Sequence, residues 1–463
     1  MAALAGWRPY SREAVNVIRI QIPDKAKYII EKIEAAGFEA YAVGGCVRDS
    51  ILGRIPQDWD ITTSARPEQV KALFPHTVDT GLQHGTVTVI IDREGFEVTT
   101  YRIDGKYEDS RHPREVTFTS SLEEDLKRRD LTINAMAYND DRGLVDLYGG
   151  MDDIRAKVIR CVGDPLERFG EDALRMLRAI RFSAQLGYEL DLRTREAVRQ
   201  LAPTLENISA ERIQIELVKL MVSPHPDYLR EAYECGVTKV FFPEFDRAME
   251  TEQNHPHHCY SVGEHTLHSL TMIEPDKVLR LTMLLHDIGK PASLSLGEDG
   301  TTHFHGHAQI GAEMAHDILR RLKFDNETIN KVCKLVRYHD YGNSMEPNLR
   351  ILRRAVNKIG QEAFPSLFSV KRADIMAQSD YLRQEKLEKL IRWEQLYQEL
   401  VEKQQCVSLK SLAISGSDLI HMGMNPGREI GELLNQLLEM VLDEPELNTK
   451  EILLREAEKR LQK

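Results

Sequence analysis

Two aspartates spaced as Asp58-Trp59-Asp60 follow the run Val43-Gly44-Gly45-Cys46-Val47-Arg48-Asp49, in which a strand-like piece ends on paired glycines and turns into a helix. Glycines at such a turn let backbone N–H groups approach a triphosphate without interference from a Cβ. Arg48, in the first turn of the helix, would supply a fixed cation for a phosphate oxygen. Residues two apart on a strand project to the same face. Asp58 and Asp60, two apart on a predicted strand, therefore form a carboxylate pair able to bridge two magnesium ions, as in-line nucleotidyl transfer requires. Glu97, on a later strand beside Thr99 and Tyr101, is the candidate third carboxylate. An isolated D-x-D usually marks a solvated strand edge or turn. The glycine run in register ahead of it makes the combination specific.

A second constellation lies downstream. Many of the chain's 16 histidines fall between His255 and His339, among them His265, His286-Asp287, His303, His305, His307 and His339-Asp340, and Asp374 follows. Imidazoles and carboxylates carried on several helices and converging in a bundle core suit a transition metal or magnesium. The His286-Asp287 doublet, within an apolar helix, would be expensive to bury unless it binds something. The 6 cysteines are scattered without a C-x-x-C pair. That argues against a disulfide framework or a zinc–thiolate site and fits a reducing cytosol.

The elements that must position these groups divide the chain. At 463 residues it has room for about three domains of roughly 150 residues. Up to about Val162 a helix over 25–36 is followed by strand-like pieces over 40–43, 59–62, 86–91, 97–101 and 116–118. Beyond Asp164 strand signals nearly vanish, and amphipathic helices run over 173–186, 212–221, 226–235, 281–285, 310–322, 328–336 and 351–359. A long charged helix over 380–403 leads to a tail punctuated by Gly416, Gly423 and Gly427. The fold class is therefore α+β: a small head with a mixed β-sheet, then an all-helical body. A His-rich passage over 251–258 marks a boundary inside that body. The net charge of -12 neither advertises nor excludes nucleic-acid binding, because phosphates respond to the local field. No signal peptide and no apolar stretch of membrane-spanning length is found, so a cytoplasmic protein without a membrane partner is expected.

Taken together, G-G-x-V-R-D-x-x-L-G-R (Gly44 to Arg54) and D-x-D resemble the head of class II tRNA nucleotidyltransferases and the related bacterial poly(A) polymerases, members of the DNA polymerase β superfamily. The likeness continues through Arg128-Arg129-Asp130-Leu131-Thr132-Ile133-Asn134-Ala135, similar to that family's ribose-gripping motif, and it implies nucleotide contacts for Arg129 and Asp130. Tyr101-Arg102 through Arg111-His112-Pro113 resembles the family's flexible loop, and the turn Asp146-Leu147-Tyr148-Gly149-Gly150 also fits. Glu171-Asp172-Ala173-Leu174-Arg175, expected on one helix, resembles its base-reading motif. There a carboxylate accepts from the exocyclic amine of C or A while a guanidinium donates to the ring nitrogen. U and G would set a carbonyl oxygen against the carboxylate, a mismatch costing roughly 1–3 kcal/mol. The resemblance adds Arg178 and Arg181 to the nucleotide contacts, with Gly44 and Gly45 cradling phosphates.

The histidine–aspartate array resembles the HD phosphohydrolase superfamily. On that pattern His265, His286, Asp287 and Asp374 hold one divalent metal, with His307 and His339 available for a second, while His303 and His305 are loop residues. The implied domains are a catalytic head over 24–162, a helical neck over 163–250 for base recognition and tRNA contact, an HD module over 251–385 and a tRNA-binding tail over 386–463. The implied activity is addition of C, C and A to the tRNA 3′ end from CTP and ATP, with magnesium on Asp58 and Asp60. Narrower versions within the family are A-only addition, CC-only addition and poly(A) synthesis. An alternative of another class is an HD hydrolase whose head is a regulatory nucleotide-binding module. The oligomeric state is open.

Overall fold

A computed structural model describes residues 18–105, 116–254 and 256–461. It divides into two compact units: the described residues up to Ile208 with Glu234–Val237, and Ser209–Tyr233 with the remainder from Thr238.

The first unit opens with α1 (Asp24–Ala35), β1 (Ala40–Val43), α2 (Gly45–Ile51), β2 (Ile61–Thr63), α3 (Pro67–Leu73), β3 (Thr77–Gly81), β4 (Thr86–Ile91) and β5 (Glu94–Thr100). Then come β6 (Arg102–Asp104), β7 (Val116–Phe118), α4 (Leu122–Lys127), β8 (Met136–Asn139), β9 (Gly143–Asp146), α5 (Gly150–Ala156) and β10 (Val158–Ile159). Seven strands form one sheet in the order β3-β4-β5-β2-β1-β8-β9. Only β2 and β5 run parallel within it, so the sheet is mixed. β1 and β8 are buried throughout, as central strands must be. Tyr41, Val43, Tyr101, Leu126 and Ala137 form an apolar cluster between the sheet and α4.

The first unit continues past the expected head boundary at 162. α6 (Pro165–Glu171), α7 (Leu174–Leu186), β11 (Glu189–Leu190) and α8 (Leu192–Leu201) belong to it, and β11 pairs in parallel with β10. The early neck helices thus pack with the head.

The second unit is helical apart from one hairpin: α9 (Ala210–Met221), α10 (Leu229–Glu234), α11 (Thr238–Phe241), α12 (Pro243–Met249), α13 (Val262–Thr271), α14 (Lys277–Leu285) and α15 (Lys290–Ser293), then β12 (Leu294–Leu296) and β13 (Thr302–Phe304). The chain continues with α16 (His307–Arg321), α17 (Asn326–Tyr338), α18 (Leu349–Ile359), α19 (Phe364–Ala377), α20 (Arg383–Glu402), α21 (Gly416–His421), α22 (Arg428–Asp443) and α23 (Lys450–Leu461). α14 is the centre: residues 280–290 are buried on every side, with α13, α17 and α19 packed around it. The tail has its own core, built on Leu437, Val441, Leu453 and Ala457. No helix among the described residues is long and apolar enough to cross a membrane.

Candidate active site and candidate metal centre

β1 ends at Val43 and is followed by Gly44, whose backbone (φ 81, ψ -126) lies where only glycine is comfortable. Its N–H donates to the Met136 carbonyl at 3.0 Å, and its carbonyl caps α2 by accepting from the Arg48 N–H at 3.1 Å. A Cβ at position 44 would stand 3.1 Å from Nη1 of Arg129, so the missing side chain is what lets that guanidinium reach the turn.

Asp58 and Asp60 are placed differently from the expectation. The strand begins at Ile61, so both aspartates precede it rather than lie on it. The glycine turn contributes: β1 runs out at Val43, whose N–H bonds the Asp60 carbonyl at 3.0 Å, and beyond that point β2 has no partner on its β1 side. Since Ile61 pairs with Val98, Asp60 enters the sheet beside Glu97. All three carboxylates are solvent-exposed. Desolvation by the surrounding walls still raises the Asp60 carboxyl above its ordinary range, although one side of the residue meets solvent. Glu97 and Asp58 push the same way, and Arg129 opposes them. Three mutually repelling oxygen donors suit a hard divalent cation.

Around them the sequence motifs form a brace. Asp125, buried on α4, accepts from Thr62 Oγ1 at 3.1 Å and pairs with Arg128 Nη2 at 2.6 Å and Arg129 Nη2 at 3.5 Å. Burial would raise its carboxyl, but the two arginines hold it below the usual range. Arg129 Nε is buried without a hydrogen-bond partner, an orphan donor of the kind a ligand oxygen satisfies. Arg48 is not an open phosphate cation as expected. It is buried, donates to Asp49 Oδ1 at 2.9 Å and Asn134 Oδ1 at 2.6 Å, and lies 4.8 Å from the Phe182 ring centre. Asp130 is buried too, accepting from the Leu131 N–H at 2.8 Å and Arg178 Nε at 2.7 Å. Burial works against its charge, but Arg178 more than compensates and keeps the carboxyl far below its usual range. Arg181 is buried and stacks 3.7 Å from the centre of Phe182.

The base-reading motif does not lie on one continuous helix. Asp172 (φ -142, ψ 105) breaks the chain between α6 and α7, and its Oδ1 accepts the Leu174 N–H at 3.1 Å. Short polar side chains compete for backbone groups in this way. Arg175 stands one turn on, its N–H bonded to the Asp172 carbonyl at 3.0 Å and its Nη1 to Glu171 Oε2 at 2.7 Å. Asp125, Asn134 and Phe182 were missed as site residues. Asn134 lay in plain view within the Arg128–Ala135 run, whereas Phe182 carries no signal beyond an apolar helix face. Of the expected loop, Arg111, His112 and Pro113 lie outside the described residues.

In the second unit six expected ligands converge. His265 comes from α13, His286 and Asp287 from the end of α14, His307 from the start of α16, His339 from the end of α17 and Asp374 from α19. They form two triplets, His265–His286–Asp374 and Asp287–His307–His339, with ligand atoms within 4.8 Å of one another inside each. Asp287 links them. Its Oδ2 lies 3.2 Å from His286 Nε2 and 3.6 Å from His265 Nε2, and its Oδ1 lies 3.5 Å from His307 Nε2 and 3.7 Å from His339 Nε2. His265 Nε2 is 2.9 Å from Asp374 Oδ1.

The outer ring nitrogens make the case for a cation. Nδ1 of His286, His307 and His339 faces the carbonyl of Met283, Phe304 and Val336 at 2.8, 2.9 and 2.7 Å, and Nδ1 of His265 faces Ala377 O at 3.4 Å. A carbonyl only accepts, so each neutral ring carries its proton on Nδ1 and turns a bare Nε2 inward. His265 and His286 then oppose lone pairs at 3.2 Å, and His307 and His339 at 3.3 Å. Neutral rings so arranged repel unless a positive centre lies among them. Lys290, which sequence reasoning passed over, supplies one charge from the edge: its Nζ is 2.7 Å from Asp287 Oδ2 and 2.8 Å from Gln253 Oε1. His303 sits on β13 rather than in a loop, and neither it nor His305 joins a triplet.

The mixed sheet, glycine turn and carboxylate set define a nucleotidyltransferase head. Residues 40–160 match the poly A polymerase head domain, 187–249 the RNA and SrmB-binding site of polymerase A, and 297–457 domain 2 of tRNA nucleotidyltransferases. The CCA-adding enzyme of Pediococcus pentosaceus is 36% identical over 443 residues, covering 95% of this chain and 98% of that one. The crystal structure of the Bacillus stearothermophilus CCA-adding enzyme in complex with CTP superposes with a TM-score of 0.69 at 30% identity, over 94% of this chain and 98% of that one. The Thermotoga maritima CCA-adding enzyme complexed with tRNA shares the fold at 21% identity and a TM-score of 0.60, over 95% and 96% of the two chains. The chain belongs to the family of CCA-adding enzymes.

Proposed function

We propose that this protein adds C, C and A to the 3′ end of tRNA, using CTP and ATP. The observation that carries the reading is the placement of Asp60 beside Glu97 and Asp58, with the Gly44 turn holding Arg129 against the same site. The RNA 3′-hydroxyl oxygen bonds the α-phosphorus, the bond to the bridging oxygen breaks, pyrophosphate leaves and the hydroxyl proton passes to solvent. Asp58 and Asp60, with Glu97, are the residues that would hold magnesium. Magnesium supplies charge neutralisation at the attacking and departing oxygens. Arg129 offers its orphan Nε to the nucleotide, the Gly44-Gly45 backbone approaches the phosphates, and Arg48 and Asp130 brace these groups from behind. Asp172 and Arg175, presented at the break between α6 and α7, select the amino-bearing edges of C and A, while Arg178 and Arg181 complete the nucleotide wall. Incubating tRNAs that lack three, two or one terminal nucleotides with each of the four triphosphates tests this. C should enter twice and A once, in that order. Poly(A) growth, or arrest after CC, would replace the reading with a narrower one.

A specific observation favours a second activity. The inward Nε2 atoms around Asp287 suit one or two divalent ions, magnesium or a transition metal. We infer that residues 251–385 form an HD-type phosphohydrolase module acting on phosphate esters, and that residues 386–463 contact tRNA. Bound metal would supply an activated water. The chain's own part is to hold the ring tautomers through the four carbonyls and to anchor the bridging carboxylate with Lys290. The six cysteines are all free, consistent with a cytosolic setting.

A further inference from the structure

A cavity of about 290 Å³ opens beside the His/Asp cluster and shares Asp374, Gln378 and Asn343 with the cleft over it. That is near the lower end of the roughly 300–1,000 Å³ of small-molecule sites, enough for one nucleotide but not a longer strand. Its walls are of two kinds. Ile375, Leu390 and the half-buried Trp393 make one side apolar and aromatic. Lys371, Lys386 and Lys389 make the other side cationic.

These lysines are poorly neutralised. Lys371 is only 9% exposed, yet its Nζ donates to the amide oxygen of Asn343 at 2.7 Å. Lys386 donates to the amide oxygen of Gln378 at 2.6 Å. Neither ion-pairs with a carboxylate among the described residues. Only Lys389 has one, the exposed Glu346 at 3.5 Å. Asp374 of the cluster lines the same cavity as Lys371 and Lys386. Lys371 is buried and Lys386 half-buried, and an ammonium so placed against a neutral amide can still take an anion. A flat ring set on Trp393 with an anion between the lysines and the cluster describes one chemical class.

We propose that this cavity holds the terminal nucleoside of a phosphate ester, with its base against Trp393 and its phosphate between Lys371, Lys386 and the His/Asp cluster. The proposal rests on the reading of the cluster as a phosphohydrolase centre and gives that centre its substrate class: a nucleotide, free or at an RNA 3′ end. No residue of the head takes part.

The test is equilibrium binding by calorimetry to the full-length protein loaded with Mn²⁺, using adenosine 3′-monophosphate in one arm and a short RNA bearing a 3′-phosphate in the other. Trp393→Ala and Lys386→Gln should each weaken binding at least tenfold, with Trp393→Phe within about threefold of the parent. Thermal melting and cluster metal content identify a variant that has merely lost its fold. Tighter binding of the RNA assigns the site to strand ends, and tighter binding of the mononucleotide assigns it to free nucleotides. Unchanged binding in Trp393→Ala and Lys386→Gln overturns the cavity assignment. A protein that takes up no metal yet loses nucleotide binding in those variants removes the phosphohydrolase reading and leaves the cavity standing.

Discussion

Nε of Arg178 donates to Oδ2 of Asp130 at 2.7 Å, and so ties the first turns of α7 to the Arg128–Ala135 run of the head. The carboxylate is buried while the guanidinium is partly open to solvent, and the bond clamps α7 to the segment that follows α4. Asp130→Asn leaves the guanidinium facing a neutral acceptor, and because Arg178 is partly solvated the loss should be on the order of 1–3 kcal/mol. Because the folded carboxyl titrates below its unfolded value, its stabilising contribution is full above the unfolded pKa, near pH 4, and fades as pH falls below it. Urea unfolding at pH 7 and pH 3 should show a large gap between parent and Asp130→Asn at pH 7 and a smaller one at pH 3.

Gly44→Ala should be far worse than an ordinary turn substitution. It imposes a strained backbone, worth about 1–3 kcal/mol, and drives a methyl group against Arg129. Nucleotide incorporation should fall at least a hundredfold with a smaller loss of thermal stability, measurable by steady-state kinetics and melting. A variant with parental kinetics would remove Arg129 from the nucleotide site.

Replacing Arg175 by Ala should relax the choice of base rather than abolish transfer. A lost charged hydrogen bond of roughly 1–3 kcal/mol corresponds to about a 5- to 150-fold narrowing of the ratio of CTP to UTP incorporation. Competition kinetics with the two triphosphates read that ratio directly.

Asp287 and His307 make different claims on metal. Asp287 belongs to one triplet and also stands 3.2 Å from His286 of the other, whereas His307 belongs to one alone. Asp287→Ala should strip the cluster, and His307→Ala should leave about half the metal content, measured after dialysis by elemental analysis. Equal loss in the two variants would argue against two separable positions.

Lys371 carries the opposite signature from a stabilising ion pair. Burial lowers its ammonium to about 8, below its unfolded value near 10.4. Between those pH values the unfolded chain binds more protons, so stability rises with pH there, and at neutral pH the charge is a liability. Lys371→Met should therefore raise stability by about 1–3 kcal/mol at pH 7 and narrow that gain by pH 10, in calorimetric melts.

The glycine turn was readable because paired glycines before a helix have a local cause, whereas the placement of Asp58 and Asp60 was not. Their strand begins late in part because β1 ends at the same turn, a fact of register that no window around residue 58 contains. β8 escaped notice because Met136–Asn139 is buried throughout and shows no alternation. β3 escaped because Thr77–Gly81 is a polar edge. The break at Asp172 hid inside a strong helical pattern, since the apolar spacing of α7 continues smoothly into α6 while the side chain caps the helix locally. In the metal centre the ligand types were legible. That four rings share one tautomer was not, because carbonyls such as those of Met283 and Ala377 meet them only once the bundle has formed.

The most direct test of the central assignment is single-turnover transfer of labelled CMP to tRNA lacking its last three nucleotides, comparing the parent with Asp58→Ala and Asp60→Ala. Each substitution should abolish transfer in saturating magnesium while melting stays near the parental value. Either variant transferring CMP at more than a tenth of the parental rate would contradict the account.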